Sequence, residues 1–273
     1  LRDRIDPRRT QIHGGATVGN MTLRAGGHFA LVLVEGIMFA GGHATGNQTA
    51  GGLYIDGGDG VIVRYDLFVG NEAEQTGGLF VSSNSSVEVV ENLFVGNNSA
   101  VSRGAMVLVG THGWITHNGF ASNSGPSAAV YLLPTSSQSF VLTSNLFWDN
   151  AATGLDFASG FQFGHPLLND NLVQDLALIQ GDIDPASSGN FDADPLFSPP
   201  GECDRELGYE LGQGSPAVDT ASANPPHGLP DQDLIGRERV VGAAPDIGPF
   251  ERRIVFCDGV EGGNFAGWSV VQP

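Results

Sequence analysis

Glu91-Asn92-Leu93-Phe94-Val95-Gly96-Asn97 restates Tyr65-Asp66-Leu67-Phe68-Val69-Gly70-Asn71 from 26 residues earlier in the chain. The phenylalanine of this phrase returns as Phe39, Phe68, Phe94, Phe120 and Phe147, at gaps of 29, 26, 26 and 27 residues. Asn71, Asn97, Asn123 and Asn150 each follow one of the last four, three residues behind it. Asp66, Asn92, Asn118 and Asn145 stand two residues ahead. A regular spacing of this length signals stacked repeats, none of which can bury its apolar side chains alone.

Within each period lie three short β-type runs separated by Gly, Ser, Asn or Asp. One period reads Gly77-Gly78-Leu79-Phe80-Val81, then Val87-Glu88-Val89-Val90, then Leu93-Phe94-Val95. Runs of this length between turn formers are strands, and no period holds a helical pattern of useful length. The expected fold is all-β: a right-handed, single-stranded parallel β-helix. Residues 12–190 would supply about seven coils, a rod of roughly 34 Å at the inter-strand spacing. Alternation turns Val61, Val63, Val87, Val89, Ile115, Phe140 and Leu142 inward, with Leu79 and Val81. Phe68, Phe94, Phe120 and Phe147 should form one ring stack down the core. The asparagines should form ladders at the coil corners, where Asn tolerates left-handed backbone and stacked amides bond along the rod.

Composition bounds the function. The chain has 273 residues, 40 of them glycine, and a net charge of −18. Lysine is absent, and all 12 basic residues are arginine. Such a balance excludes nucleic acid as the expected partner, because phosphate binding needs a basic surface. No apolar run is long enough to span a membrane. Residues 1–154 hold 11 Asp and Glu, and residues 155–273 hold 19. The expected organisation is repeats over 1–194, an irregular acidic closing segment over 195–254 packed on them, and a terminal motif over 255–273. No signal-peptide pattern opens the sequence at Leu1, so a processed form is expected.

The order of motifs resembles a known family. Gly36-Ile37-Met38-Phe39-Ala40-Gly41-Gly42, Gly51-Gly52-Leu53-Tyr54 and the Phe-x-Gly-Asn repeats are similar to the β-helix repeats of bacterial pectate-lyase-like surface proteins. Asn190-Phe191-Asp192-Ala193-Asp194-Pro195-Leu196-Phe197, Ser215-Pro216-Ala217-Val218-Asp219 and Asp246-Ile247-Gly248-Pro249-Phe250-Glu251 resemble the closing segments of "choice-of-anchor" β-helix proteins. The stretch from Val255 through Trp268-Ser269 resembles a short C-terminal sorting motif of secreted bacterial proteins, whose usual form has Phe where Val260 stands. The resemblance implies a secreted or cell-surface location and no single activity.

The search for chemistry gives candidates rather than a signature. Cys203 and Cys257 would close a loop of about 50 residues as a disulfide outside the cell, worth ~3–4 kcal/mol; two free thiols is the other reading. Asp182, Asp184, Asp192 and Asp194 are paired carboxylates on turn backbone and candidate calcium ligands; solvated turn acids is the alternative. No cofactor is required by any motif. Arg64 and Arg103, the arginines of the central coils, read as surface ion-pair residues, and His117 as a structural histidine. Ile62, Trp114 and Val141 form an outward apolar stripe with Glu88 between them, to be covered by the acidic tail or by another molecule. Open strand edges at the rod ends allow self-assembly.

Two functional classes follow. One is a structural, adhesive or self-assembling protein, with itself or an extracellular polysaccharide as partner. The other is a polysaccharide lyase, glycoside hydrolase or polysaccharide-binding protein using a groove along one face. A cleft with three or more carboxylates and an arginine would favour the second. A flat polar face of stacked asparagines would favour the first.

Overall fold

The computed structural model of the chain describes residues 11–13, 21–25, 31–46, 49–83, 85–110, 112–135, 139–150, 153–157, 164–179, 182–199 and 207–252. Cys203, Cys257 and the 255–273 motif lie outside the described residues.

The strands stack into a parallel β-solenoid. Its first face is built from Met21–Ala25, Leu53–Gly57, Leu79–Ser82, Met106–Gly110, Ala128–Pro134 and Thr153–Phe157. The second is built from Leu31–Glu35, Gly60–Arg64, Ser86–Val90, His112–Thr116, Phe140–Thr143 and Leu167–Asn169. The third runs through Gln11–His13, Met38–Ala40, Leu67–Val69, Leu93–Val95, Gly119–Ala121, Leu146–Trp148 and Leu172–Val173. A short fourth ladder joins His43–Ala44, Glu72–Ala73 and Asn98–Ser99. Every pair within these faces is parallel, and the register sets Phe39, Phe68, Phe94, Phe120 and Phe147 opposite one another. From Met21–Ala25 to Leu172–Val173 the chain makes between five and six turns. That is slightly fewer than the seven expected, because the final acidic stretch to Asn190 forms bridges rather than full strands.

The core is as the alternation predicts. Val61, Val63, Val87, Val89, Ile115, Phe140 and Leu142 are buried, with Leu79 and Val81 from the first face. Successive phenylalanine rings stack with centroids 5.0, 4.6, 4.9 and 4.7 Å apart, close to the strand spacing that places them.

Two asparagine ladders hold the corners. In one, Asn97 donates from its backbone N–H and from Nδ2 to Oδ1 of Asn123, both at 3.0 Å. Its Nδ2 also donates to the Phe68 carbonyl, and its Oδ1 accepts from Asn71. All four bonding positions of this buried amide are used, which removes the penalty of burying it. The rung continues to Asn150. The other ladder runs Asp66, Asn92, Asn118, Asn145 and then through Asn171 and Asn190. The last two rungs extend it beyond the expected set.

One expectation about these corners needs correcting. The asparagines are not the left-handed residues; the residue before each one is. In the first ladder this is Gly70 (φ 59°), Gly96 (φ 60°), Ser122 and Asp149. In the second it is Tyr65, Glu91, His117 and Ser144, at φ 57°, 55°, 54° and 58°. Left-handed backbone costs a non-glycine residue roughly 1–2 kcal/mol, so this second corner carries strain that its surroundings must offset.

Those surroundings are the tail. Residues 207–252 have almost no regular secondary structure and lie over the outside of the third face. There, Leu67 and Leu93 pack with Leu234 and Phe250, and Leu146 and Leu172 pack with Ala217 and Ile247. Gly119 takes the position that leucine holds in the neighbouring coils. A Cβ on it would lie 3.1 Å from Pro249 Cδ, so its lack of a side chain makes room for that ring. The motifs Ser215–Asp219 and Asp246–Glu251 meet here: Ile247 N–H donates to the Ala217 carbonyl, and Gly248 N–H to that of Ser144.

Candidate functional site

The strained corner supplies one side of a sealed charge cluster. Glu91 and His117 project from the left-handed positions of adjacent coils, and both are fully buried. Arg239 comes down on them from the tail, itself 1% exposed. Its Nε lies 3.0 Å from Glu91 Oε1, and its Nη1 lies 3.6 Å from Glu251 Oε2. Its Nη2 donates to the carbonyls of Asp246 and Gly248, at 2.5 and 2.9 Å.

The tail acids around Arg239 are tied to backbone. Asp233 accepts from the N–H groups of Ile235, Arg237 and Glu251. Glu251 accepts from Val241 and Asp246, and Asp246 from Asp219 and Arg252. These carboxylates shape the irregular segment, as fixed acceptors do wherever backbone donors lack a helix or sheet.

Burial dominates the titration of the cluster. It pushes Glu91 well above the usual carboxylate range, with Arg239 pulling the other way. It raises Asp233 and Asp246, and it carries Glu251 up to about 7. Burial, and then the Arg239 charge, hold His117 well below the ordinary imidazole value. Both ring nitrogens of His117 lack a hydrogen-bond partner. The cluster therefore holds a neutral histidine and one arginine against several carboxylates, and its chemistry is that of a clamp.

A groove of about 360 Å³ opens beside the clamp, between the outer side of the second face and the tail loop 227–233. Ile62, Arg64, Glu88, Val90 and Thr116 form its solenoid wall. His227, Leu229, Pro230 and Asp231 form the tail wall, with Tyr65 and Glu35 also lining it. Arg64 makes the expected ion pair with Glu35, through two hydrogen bonds of 2.9 and 2.7 Å. Of the expected apolar stripe, Ile62 lines this wall. Ile62, Trp114 and Val141 are each part-exposed, and the His227 ring sits 3.5 Å from that of Trp114. His227 Nδ1 also approaches Glu88 Oε1 at 3.5 Å.

The candidate calcium ligands are not drawn together. Asp184 and Asp194 each accept a hydrogen bond from the backbone two residues on, at 2.8 Å, which is turn chemistry. Asp192 accepts from Asp175 N–H, and Asp182 is exposed. Among the described residues no three His, Cys, Asp or Glu stand where they could share a metal ion. No helix among them is long and apolar enough to cross a membrane.

Sequence reading missed Arg239, Glu91, Glu251 and the groove. One signal was present: large or charged residues at the second corner, where the other corner has Gly70 and Gly96. No protein-family model matches the chain, and a search of the curated proteins finds no match either.

Proposed function

We propose that the chain is a secreted or cell-surface β-helix protein with a structural, adhesive or self-assembling role, of the bacterial pectate-lyase-like, choice-of-anchor kind that its motifs resemble. The observation that carries this reading is where the polar groups go. The buried amides bond to one another along the rod, and the buried Glu91–Arg239 pair bonds the tail to it. The result is a rod stapled along its length and sealed on its third face, suited to persistence outside a cell. A lysine-free surface of strong negative charge fits the same setting. The test is display of the full chain on a cell or bead surface. Adhesion or concentration-dependent association by light scattering, with no turnover of any polysaccharide, is the expected result. Release of reducing ends or unsaturated product from any polysaccharide would overturn it.

One observation favours the carbohydrate-directed alternative. The groove contains Glu35, Glu88, Asp231 and Asp233 together with Arg64, which is the cleft composition that would suit that class. Arg64 and Glu35 are occupied with each other and Asp233 with backbone donors. Glu88 and Asp231 are therefore the pair that a hydrolase or a binding protein would use.

A further inference from the structure

We propose that the first face of the solenoid is a binding strip for an uncharged glycan, which lies along the rod on the outward rings of Tyr54 and Phe80. This rests on the adhesive reading above and names its partner.

The register builds the strip. Tyr54, Phe80, Val107 and Tyr131 occupy one outward column on adjacent coils, and Asp56, Ser82, Val109 and Leu133 occupy the next. The three aromatic side chains are part-exposed. The rings of Tyr54 and Phe80 have centroids 5.5 Å apart and meet at 78°, so one of them keeps both its faces clear of the other. The Arg103 guanidinium lies 3.8 Å from the Tyr131 ring centroid and fixes that end of the column. The tail packs on the third face and reaches the second through His227 on Trp114. Among the described residues, no hydrogen bond or apolar cluster of the tail includes a first-face strand.

Area and chemistry choose the occupant. Two outward positions per strand over four coils cover roughly 15 Å by 10 Å at the strand rise and spacing. That is far below the roughly 800 Å² per partner that a stable protein interface buries, so a second copy of the chain does not fit the strip. An extended peptide is excluded by the backbone. Leu53–Gly57, Leu79–Ser82 and Met106–Gly110 are each paired on both sides, so their N–H and C=O groups are spent within the sheet. A sugar chain needs neither a wide surface nor a strand edge. The C–H face of a pyranose rests on an aromatic ring, while its hydroxyls stay in water or bond Asp56 and Ser82 beside the column. The coil step of about 4.8 Å is close to the length of one sugar unit. The net charge of −18, with Asp56 at the strip itself, repels a uronate or a sulfated chain.

Calorimetric titration of the full chain tests this, with cellohexaose, mannohexaose, the N-acetylated chitin hexamer and hexagalacturonate as probes. Saturable binding of at least one neutral hexamer, tighter than that of hexagalacturonate, is expected. Tyr54→Ala and Phe80→Ala should each weaken it about three- to tenfold, and Phe80→Tyr should keep it. Leu33→Ala removes a side chain 50% exposed on the second face and should leave binding unaltered. Failure of every neutral hexamer, equal or tighter binding of hexagalacturonate, unchanged binding in both alanine variants at the strip, or equal weakening by Leu33→Ala would each overturn the proposal. So would self-association, followed by light scattering, that Phe80→Ala abolishes, which would give the face to a second copy. Melting curves of the variants check that the fold is kept. The adhesive reading is judged separately, by surface adhesion and turnover, and can stand if the strip binds no glycan.

Discussion

Replacing Asp66 by asparagine should make the protein more stable, by an amount that depends on pH. Asp66 is the first rung of the second ladder and is fully buried. Its Oδ1 accepts from Ile37 N–H at 2.7 Å, but its Oδ2 has no partner. The rung after it shows what is lacking. Asn92 donates from Nδ2 to Asn118 Oδ1 at 3.0 Å and to the Val63 carbonyl at 2.9 Å. The register pairs Val63 with Val34, so an asparagine at 66 would donate to Asn92 Oδ1 and to the Val34 carbonyl. Two added buried hydrogen bonds at about 0.5–1.5 kcal/mol each give a gain of about 1–3 kcal/mol.

The pH dependence follows from the carboxyl group. Burial first, and then the Glu35 charge, hold Asp66 well above the ordinary aspartate range, against the pull of the Ile37 N–H. A raised acid contributes stability that is complete below its unfolded pKa, near 4, and lost as pH rises through the folded value. Wild type should therefore weaken with rising pH, while the Asp66→Asn protein lacks that loss. Guanidinium midpoints followed by circular dichroism should differ most at about pH 8 and converge towards about pH 4. An asparagine variant no more stable at the higher pH, or a gap that does not shrink at the lower, would refute the ladder argument.

The clamp offers three further tests. Arg239→Ala leaves Glu91 buried without its cation, and should cost about 3–5 kcal/mol, seen as early loss of the tail in limited proteolysis and as dye binding to the uncovered Leu67 and Leu93. Glu91→Leu combined with Arg239→Met should recover most of that loss in denaturant midpoints; a double variant worse than Arg239→Ala would sink the clamp. Tail protection should also carry two opposed titrations on the acid side of neutrality. Glu251, raised to about 7, contributes stability below about pH 4.5 that is gone above about 7. His117, depressed by burial, contributes stability above about pH 6.5 that is lost as pH falls towards its lower folded value. Glu251→Gln should therefore remove the loss of protease protection between about pH 4.5 and 7, and an unchanged pH profile in that variant would contradict the sign given for Glu251.

The rod was legible in the sequence because a solenoid uses each position again one coil later. Phe68 and Phe94 meet in space because they are one period apart, so counting found the contact. The same holds for Asn97 and Asn123. Asn190 escaped because the final coil is short, so that it bonds Asn171 across 19 residues; Asn171 keeps the 26-residue spacing from Asn145 but has Val173 where the phenylalanine marker would stand. The clamp escaped for a different reason. Glu91 and Arg239 belong to no common period, and their meeting depends on the path of an irregular tail whose shape is set by side-chain acceptors such as Asp233 and Asp246. Such acceptors leave no periodic trace.

The second corner shows how that hidden part could be read. The backbone turns the same way at both corners, and the first corner uses Gly70 and Gly96 where it does so. Tyr65, Glu91 and His117 occupy the equivalent left-handed position at the second corner, against local preference. Residues held in costly conformations persist where surrounding contacts over-determine them. Here the contacts are those of the tail: Arg239 on Glu91, Gly248 and Ser222 on Ser144, and Leu234 and Phe250 in the cluster that includes Tyr65. Rod and tail are therefore energetically one object at this corner.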